Sequence, residues 1–142
     1  MKGYFKPKNP RKYEGNPTNI IYRSSWEFRV MTYLDSNPNV ISWSSEEFCI
    51  PYTDPTSGRF RRYFPDFKVK KKDANGNVRT LVVEVKPLYQ TKPPTVQTKK
   101  TQRYINEVKT WAINQSKWES AKDFCDKRDW DFVVLTEREI FS

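Results

Sequence analysis

Two acidic residues and a lysine stand at a spacing that could support phosphodiester hydrolysis. Asp66 follows Pro65 in the segment FPDF, and Glu84 and Lys86 lie in the apolar segment TLVVEVKP. Because the side chains of a strand alternate between its two faces, Glu84 and Lys86 are expected to project to the same side. Charges on an apolar strand are costly unless they are paired or used. Cleavage of a phosphodiester requires a metal ion, a water molecule and a positive group near the developing charge, and these residue types can meet that requirement.

The predicted site would bind one hard divalent cation, Mg²⁺, for which Mn²⁺ can substitute. If a hairpin at residues 73–77 pairs the strand of Asp66 with that of Glu84, the two carboxylates come close together. With the backbone carbonyl of Val85 they could hold the ion. Lys86 would then orient or deprotonate the attacking water and neutralise phosphate charge.

Each of these residues also has a plain structural explanation. Asp66 could end a strand or pair with an arginine, and Glu84 and Lys86 could form a surface ion pair on an edge strand. Their occurrence together, in a run too apolar for an edge, favours a site. Glu27 presents an even choice between two roles. It fits the capping box of a helix that begins after Ser24, and it could act as a further catalytic group, a ligand for metal or water above the sheet.

The chain contains no histidine and only two cysteines, which excludes several classes of enzyme. Ser-His-Asp and Cys-His catalysis and HExxH metal sites all require histidine. Cys49 and Cys125 are too few for a structural zinc site and are expected to be buried thiols rather than a disulfide. Hydrolysis would have to depend on carboxylates, lysine and an oxygen-binding metal.

The length of 142 residues favours a single domain. The net charge of +9 favours a polyanionic partner, DNA, although basic composition can also serve solubility alone. No helix-turn-helix or zinc finger is recognisable, so phosphate contacts with little sequence preference are expected. No run reaches the about 18 apolar residues of a membrane span. The candidate DNA-binding residues are Lys6, Lys8, Arg11, Lys12, Arg59, Arg61, Arg62, Lys68, Lys70, Lys99, Lys100 and Arg103.

The order of the predicted elements is helix, strands, hairpin, helix and strand, which indicates an α/β sandwich with a mixed sheet and helices on both faces. Residues 1–19 are basic and contain prolines, and we expect an extended arm; residues 20–142 form one domain. The predicted elements are a helix from Ser24 to Asn37, strands at 40–43, 48–52, 59–70 and 79–86, a helix at 98–126 with a break near 114–115, a strand at 131–135 and a last helical turn that begins at Thr136.

The short motifs resemble those of the PD-(D/E)XK nuclease superfamily. Pro65-Asp66 matches its PD, Glu84-Val85-Lys86 matches its E-x-K, and Glu27 matches a glutamate on the first helix of many members. The resemblance implies a restriction-endonuclease-like core in the order α-β-β-β-α-β, with Mg²⁺ bound by Asp66 and Glu84, and with Lys86 and Glu27 completing the site.

The resemblance also implies a role for Gln102, because many members place an assisting polar residue on the helix that follows the E-x-K strand. The alternative for Gln102 is a solvated helix face.

Longer segments resemble two narrower families. The opening GYFKPKNPRKYEGNPTNIIYRSSWE, with FPDF and VEVKP, is similar to the head-completion nucleases of T-even-type tailed phages, and the motifs also resemble TnsA-type transposon endonucleases. The phage resemblance implies a metal-dependent DNA endonuclease, with exonuclease action also open. It would act in the host cytoplasm before head-tail joining, with portal or neck proteins as partners and an association with the virion. The alternatives are a transposon or restriction-type nuclease outside virion assembly and a non-catalytic DNA-binding neck or assembly protein.

Overall fold

The computed structural model describes residues 1–142 and consists of strands and helices around one mixed sheet. The strands are β1 (Gly3–Tyr4), β2 (Ile21–Tyr22), β3 (Val40–Ser45), β4 (Ile50–Thr53), β5 (Phe60–Tyr63), β6 (Phe67–Lys72), β7 (Val78–Val85) and β8 (Asp131–Leu135). The helices are α1 (Ser25–Ser36), α2 (Gln102–Asp126) and α3 (Glu137–Ile140), with 3₁₀ helices at Pro10–Lys12 and Leu88–Thr91. The predicted mixed α/β architecture is confirmed.

The central sheet has the strand order β3-β6-β7-β8. β6 is antiparallel to both β3 and β7, whereas β8 runs parallel to β7. The predicted hairpin joins β6 to β7, and Gly76 turns it with a φ of 79°, which a residue without a Cβ adopts easily. The Asp73 carboxylate accepts the backbone N–H groups of Asn75 and Asn77 and fixes the turn. β7, the predicted central strand, is therefore an inner strand.

The alternation of β7 places one apolar residue on each face of the sheet. Val83 is buried in the cluster that α1 covers, together with Phe67. Val82 is buried in the cluster that α2 covers, next to Ala121 and Cys125. A helix therefore packs on each face, as the sequence predicts. Cys125 and Cys49 are free thiols as expected; Cys125 is buried, whereas Cys49 is only half-buried.

The single strand predicted over residues 59–70 is wrong. The structure divides it into β5, which pairs with β4 in a separate two-stranded ribbon, and β6, which belongs to the central sheet. Pro65 lies at the break, because it lacks the N–H group that a continuous ladder would need. Ile50 and Tyr63 of the ribbon pack on the face of the sheet that α2 covers.

Residues 1–19 lie on the domain, whereas the sequence predicts an extended arm. β1 pairs with β2, and Phe5 and Tyr13 are buried beside Trp43 in the cluster under α1. These two aromatic rings supply the apolar surface that anchors a segment otherwise rich in lysine and proline.

Polar contacts add to this anchoring. The buried carboxylate of Asp35 accepts the backbone N–H groups of Lys8 and Asn9 at 2.9 and 3.0 Å. The N–H of Glu14 donates to the carbonyl of Trp43 at 2.8 Å, which covers the outer edge of β3.

α2 is continuous, without the break predicted near residue 114, and Thr101 caps its start by accepting the N–H of Tyr104. Its second half packs on the sheet through residues such as Trp118 and Phe124. In its first half Ile113 packs against the cluster that α2 covers, whereas Val108 and Trp111 join neither core cluster. No helix is both long and apolar enough to span a membrane.

Candidate active site

Asp66 and Glu84 come together at the open end of the β6–β7 hairpin, opposite its turn. The register pairs Phe67 with Val83, so the next residues along the two strands, Asp66 and Glu84, stand opposite each other. The Oδ2 atom of Asp66 accepts the backbone N–H of Val85 at 2.7 Å, and this bond ties the loop after β5 to the end of β7. The predicted proximity of the two acidic residues is therefore found in the structure.

The two carboxylates lie in a shielded environment without a basic partner. Glu84 is only 6% exposed, and neither Asp66 nor Glu84 forms an ion pair. Burial and then the negative charge of Glu84 raise the pKa of Asp66 to about 8. A divalent cation between the carboxylates would relieve this repulsion, so the donor set has the chemistry that Mg²⁺ or Mn²⁺ requires.

Lys86 follows directly after β7. Its backbone N–H donates to the carbonyl of Leu135 at 3.0 Å, which continues the pairing with β8 by one residue. The alternation of the strand is thereby kept, and the Lys86 side chain leaves the sheet on the same face as Glu84. Lys86 is half-buried and forms no ion pair, so its ammonium group is available to a substrate.

Of the two roles that the sequence leaves open for Glu27, the structure shows the one at the start of α1, and a catalytic role stays a prediction. Ser24 caps α1 by accepting the N–H of Glu27 at 3.1 Å. The Glu27 carboxylate accepts only long hydrogen bonds, 3.4 Å from the N–H of Arg23 and 3.3 Å from the Ser24 hydroxyl. Burial and then the charge of Asp66 raise its pKa, so the two carboxylates interact electrostatically.

No group of three or more acidic or thiol side chains converges closely enough to hold a metal ion together. The residues that fit metal ligation best are accordingly the pair Asp66 and Glu84. Glu27 interacts with Asp66 of this pair by its charge.

Arg23 and Glu46 are two residues of the site that the sequence did not reveal. They form a charge-assisted hydrogen bond, and the charges of Glu46, Glu27 and Asp66 together raise the pKa of Arg23. The N–H of Glu46 donates to the carbonyl of Asp66 at 3.2 Å. Glu46 has a backbone φ of 54°, which residues other than glycine rarely adopt. Neither residue belongs to a recognisable motif, so spacing could not identify them.

Tyr63 is a third residue that the motifs missed. Its side chain is 4% exposed, and its hydroxyl has no hydrogen-bond partner. Burial and then the charges of Glu84 and Asp66 raise its pKa, which places the ring beside the acidic pair.

Gln102 does not join the acidic residues through any hydrogen bond. It is exposed at the first turn of α2, where its Nε2 donates to the Oδ1 of Asn106 at 2.9 Å. This arrangement is the solvated helix face that was the alternative to a catalytic role.

The predicted DNA-binding residues fall into two groups, of which the first is engaged within the protein. The Lys12 ammonium donates to the carbonyls of Asp35 and Asn37, so it holds the amino-terminal segment in place. The other engaged residues are Arg61 with Asp54 at 3.1 Å, Arg103 with Glu107 at 3.3 Å, Lys70 with Glu14 at 3.8 Å, and Lys68 at 5.0 Å from the centre of the Trp130 ring.

The second group is exposed and forms no ion pair. Its members are Lys6, Lys8, Arg11, Arg59, Arg62, Lys99 and Lys100. None of these residues has to displace an acidic partner before it contacts a phosphate, although the Arg62 guanidinium lies 5.8 Å from the centre of the exposed Phe64 ring.

Comparisons with known proteins match most of the chain. The family model described as TnsA-like endonuclease N terminal matches residues 37–137, a range that includes Asp66, Glu84 and Lys86. The head completion nuclease of Enterobacteria phage T4 is 40% identical over 139 residues, and the match covers 95% of this chain and 90% of the phage T4 protein.

Proposed function

Because the chain belongs to the family of TnsA-like N-terminal endonuclease domains, we propose that it is a DNA nuclease that acts in phage head completion. The observation that carries the chemistry is the adjacency of the Asp66 and Glu84 carboxylates on the hairpin whose second strand leads to Lys86. The role in head completion is supported by the phage T4 protein, since the similarity extends over nearly all of both chains.

A PD-(D/E)XK core is part of the proposal. Six elements support it by their order along the chain, which is α1, β3, β6, β7, α2 and β8, with the β4–β5 ribbon inserted between β3 and β6. In this arrangement the PD motif precedes β6, and the E-x-K motif ends β7. Both motifs therefore open on the same end of the sheet.

In the proposed mechanism Asp66 and Glu84, with the backbone carbonyl of Val85, would hold Mg²⁺ or Mn²⁺. The divalent ion would supply Lewis-acid polarisation of the scissile phosphate and would activate the attacking water. Lys86 orients the attacking water and stabilises the negative charge that develops on the phosphate. Glu27, whose carboxylate interacts electrostatically with Asp66, would accept a proton or a hydrogen bond from that water.

DNA is the proposed substrate, bound with little sequence preference. The net charge of +9 and the exposed unpaired lysines and arginines support contacts to phosphates rather than to base edges. The proposed setting is the infected cell, where the nuclease would trim packaged DNA before the tail joins, with portal or neck proteins as partners.

Cleavage of supercoiled plasmid by the purified protein tests the proposal. Parallel reactions contain Mg²⁺, Mn²⁺ or EDTA, and they compare the native protein with Lys86→Ala. Lys72→Ala is the control, because Lys72 is an exposed lysine at the far end of the same hairpin.

We expect metal-dependent nicking or linearisation that Lys86→Ala loses and Lys72→Ala keeps. If no DNA is cut with either metal while binding persists, the nuclease assignment fails and a non-catalytic DNA-binding assembly protein takes its place. Normal head-tail joining in a phage that carries Lys86→Ala would refute the head-completion role. It would favour a transposon or restriction-type nuclease instead.

A further inference from the structure

A polar cleft of about 870 Å³ lies beside the candidate active site, between the 3₁₀ helix Leu88–Thr91 and the first half of α2. Neither Asp66 nor Glu84 lines it. The residues that define this α2 cleft are Tyr89, Gln90, Lys92, Pro94, Arg103, Asn106, Glu107, Thr110, Trp111 and Asn114.

Asn114 forms the floor of the cleft and has an unused amide. Its side chain is 6% exposed and forms no hydrogen bond with another protein group, and its amide atoms remain open to solvent at the cleft. Buried amides are nearly always hydrogen-bonded, since each carries two N–H donors and a carbonyl acceptor. The Asn114 amide is unpaired within the protein and open to the cleft, so its donors and acceptor are available to a polar ligand there.

Two aromatic side chains line the cleft from different elements, Trp111 from α2 and Tyr89 from the 3₁₀ helix. Trp111 precedes Asn114 by three residues, so both lie on the same side of α2. Trp111 is half-buried, belongs to neither core cluster and lines the cleft. Tyr89 is 72% exposed on the 3₁₀ helix. A planar ring with polar edges matches this combination of stacking surfaces and a free amide.

The charge of the cleft suits a phosphate next to that ring. Arg103 is paired with Glu107 at 3.3 Å, whereas Lys92 forms no ion pair. The net charge of the lining is therefore positive, which attracts a nucleic-acid backbone.

The cleft is close to the proposed catalytic lysine. Tyr89 follows Lys86 by three residues, a span of at most about 11 Å between Cα atoms. The N–H of Leu88 donates to the Glu137 carboxylate at 2.7 Å, so the connection between the two sites is fixed to α3. A strand with its phosphate at Lys86 can thus place a neighbouring nucleotide in the cleft.

We propose that the α2 cleft binds one unpaired nucleobase of the DNA strand whose phosphate lies at Lys86. Trp111 stacks on the base, Asn114 hydrogen-bonds its edge, and Lys92 contacts the adjoining phosphate. A paired base cannot enter, because its edge is occupied by its complement. The inference rests on the proposed nuclease function, and it implies that the enzyme engages DNA with unpaired nucleotides in preference to a blunt duplex.

Binding of a labelled twelve-nucleotide strand tests the cleft by fluorescence anisotropy, with EDTA present to prevent cleavage. A series of strands carries a single abasic residue at successive positions, which removes a base without altering the protein. The variants are Asn114→Ala and Trp111→Leu. Gln115→Ala is the matched control, because it removes the neighbouring amide on α2 outside the cleft. Circular dichroism and thermal unfolding verify that each variant is folded.

For the native protein we expect one abasic position to weaken binding at least about fivefold. Asn114→Ala and Trp111→Leu should bind the intact strand at least about fivefold more weakly and lose the sensitivity to that position. Gln115→Ala should behave like the native protein.

If no abasic position weakens binding to the native protein, or if both cleft variants keep native affinity and sensitivity, the cleft assignment is wrong. Plasmid cleavage by the native protein is measured in parallel. If the native protein cleaves plasmid but its strand binding does not depend on any base, only the cleft assignment is refuted. If no metal-dependent cleavage occurs at all, the proposed nuclease function is refuted.

Discussion

Asp66 and Val85 are joined by a hydrogen bond of 2.7 Å from the Val85 N–H to the Asp66 Oδ2 atom. The bond leaves one carboxylate oxygen of Asp66 free and fixes its position relative to β7. Because Glu84 precedes Val85 directly, the two acidic groups are held in place by the backbone. Such positioning in advance of substrate binding is what lowers an activation barrier most effectively.

Replacing Asp66 should separate cleavage from binding. Asp66→Ala is expected to lower the rate of plasmid cleavage about 100-fold or more, the scale on which the loss of one electrostatic stabiliser acts. DNA affinity, measured by anisotropy in EDTA, should stay unchanged or rise, because a negative charge near the phosphate is removed. Asp73→Ala, at the turn of the same hairpin, is the control. Cleavage at the native rate by Asp66→Ala would refute the assignment of the site.

The raised pKa of Asp66 predicts a pH-dependent stability of the metal-free protein. An Asp in the unfolded chain titrates near pH 4, whereas in the fold its pKa is about 8. The fold therefore suffers no penalty from Asp66 below about pH 4, and the penalty grows as the pH rises towards 8. In EDTA, Asp66→Asn should raise the melting temperature at pH 8 and by much less at pH 4.5, with a gain at pH 8 of about 1 kcal/mol or more.

Magnesium supplies the complementary measurement. The native protein should gain thermal stability when Mg²⁺ is added at pH 8, because the bound ion would neutralise the repulsion between the two carboxylates. Asp66→Asn should gain little. An equal response of both proteins to Mg²⁺ would place the ion elsewhere.

The buried carboxylate of Asp35 should be a main determinant of stability. Asp35→Ala leaves the backbone N–H groups of Lys8 and Asn9 without an acceptor, at a cost of about 2 kcal/mol or more in the free energy of unfolding. Asp73→Ala also deprives two backbone N–H groups of their acceptor, but at an exposed turn. There water replaces the carboxylate, and the expected cost is below about 1 kcal/mol. Urea unfolding of the two variants compares these costs, and equal losses would contradict the anchoring role.

The division of the basic residues predicts different salt dependences of DNA binding. Arg62 is exposed and unpaired, so Arg62→Ala should reduce the slope of log K against log salt concentration by about one. The Lys12 ammonium is already bonded to two backbone carbonyls. Lys12→Ala should leave the slope unchanged and lower the melting temperature. A reduced slope for Lys12→Ala would show that Lys12 contacts DNA after all.

Local patterns in the sequence were sufficient for the hairpin and for the residues carried on its strands. Asp66, Glu84 and Lys86 could be found because a strand alternates and a tight turn fixes the register. The cap of α1 at Ser24 and the start of α3 at Thr136 are equally local and were predicted correctly.

The remaining parts of the site depend on tertiary structure. Glu46 reaches Arg23 and Asp66 only because the chain turns with a positive φ after β3. Tyr63 approaches Glu84 because β5 leaves the central sheet for the ribbon with β4. No periodicity encodes either event, and alternation alone could not reveal that Pro65 separates two strands.

The contact between Glu14 and Trp43 has a consequence for solubility. β3 is the outer strand of the central sheet, and an outer strand with free N–H and C=O groups can pair with another molecule. The segment around Tyr13 and Glu14 covers part of that edge in the folded chain. Cleavage after Asn19 by a protease would uncover it, together with the aromatic surface of Trp43. The trimmed protein would then be prone to intermolecular strand pairing and aggregation. By covering the edge of β3, the amino-terminal segment would prevent this self-association.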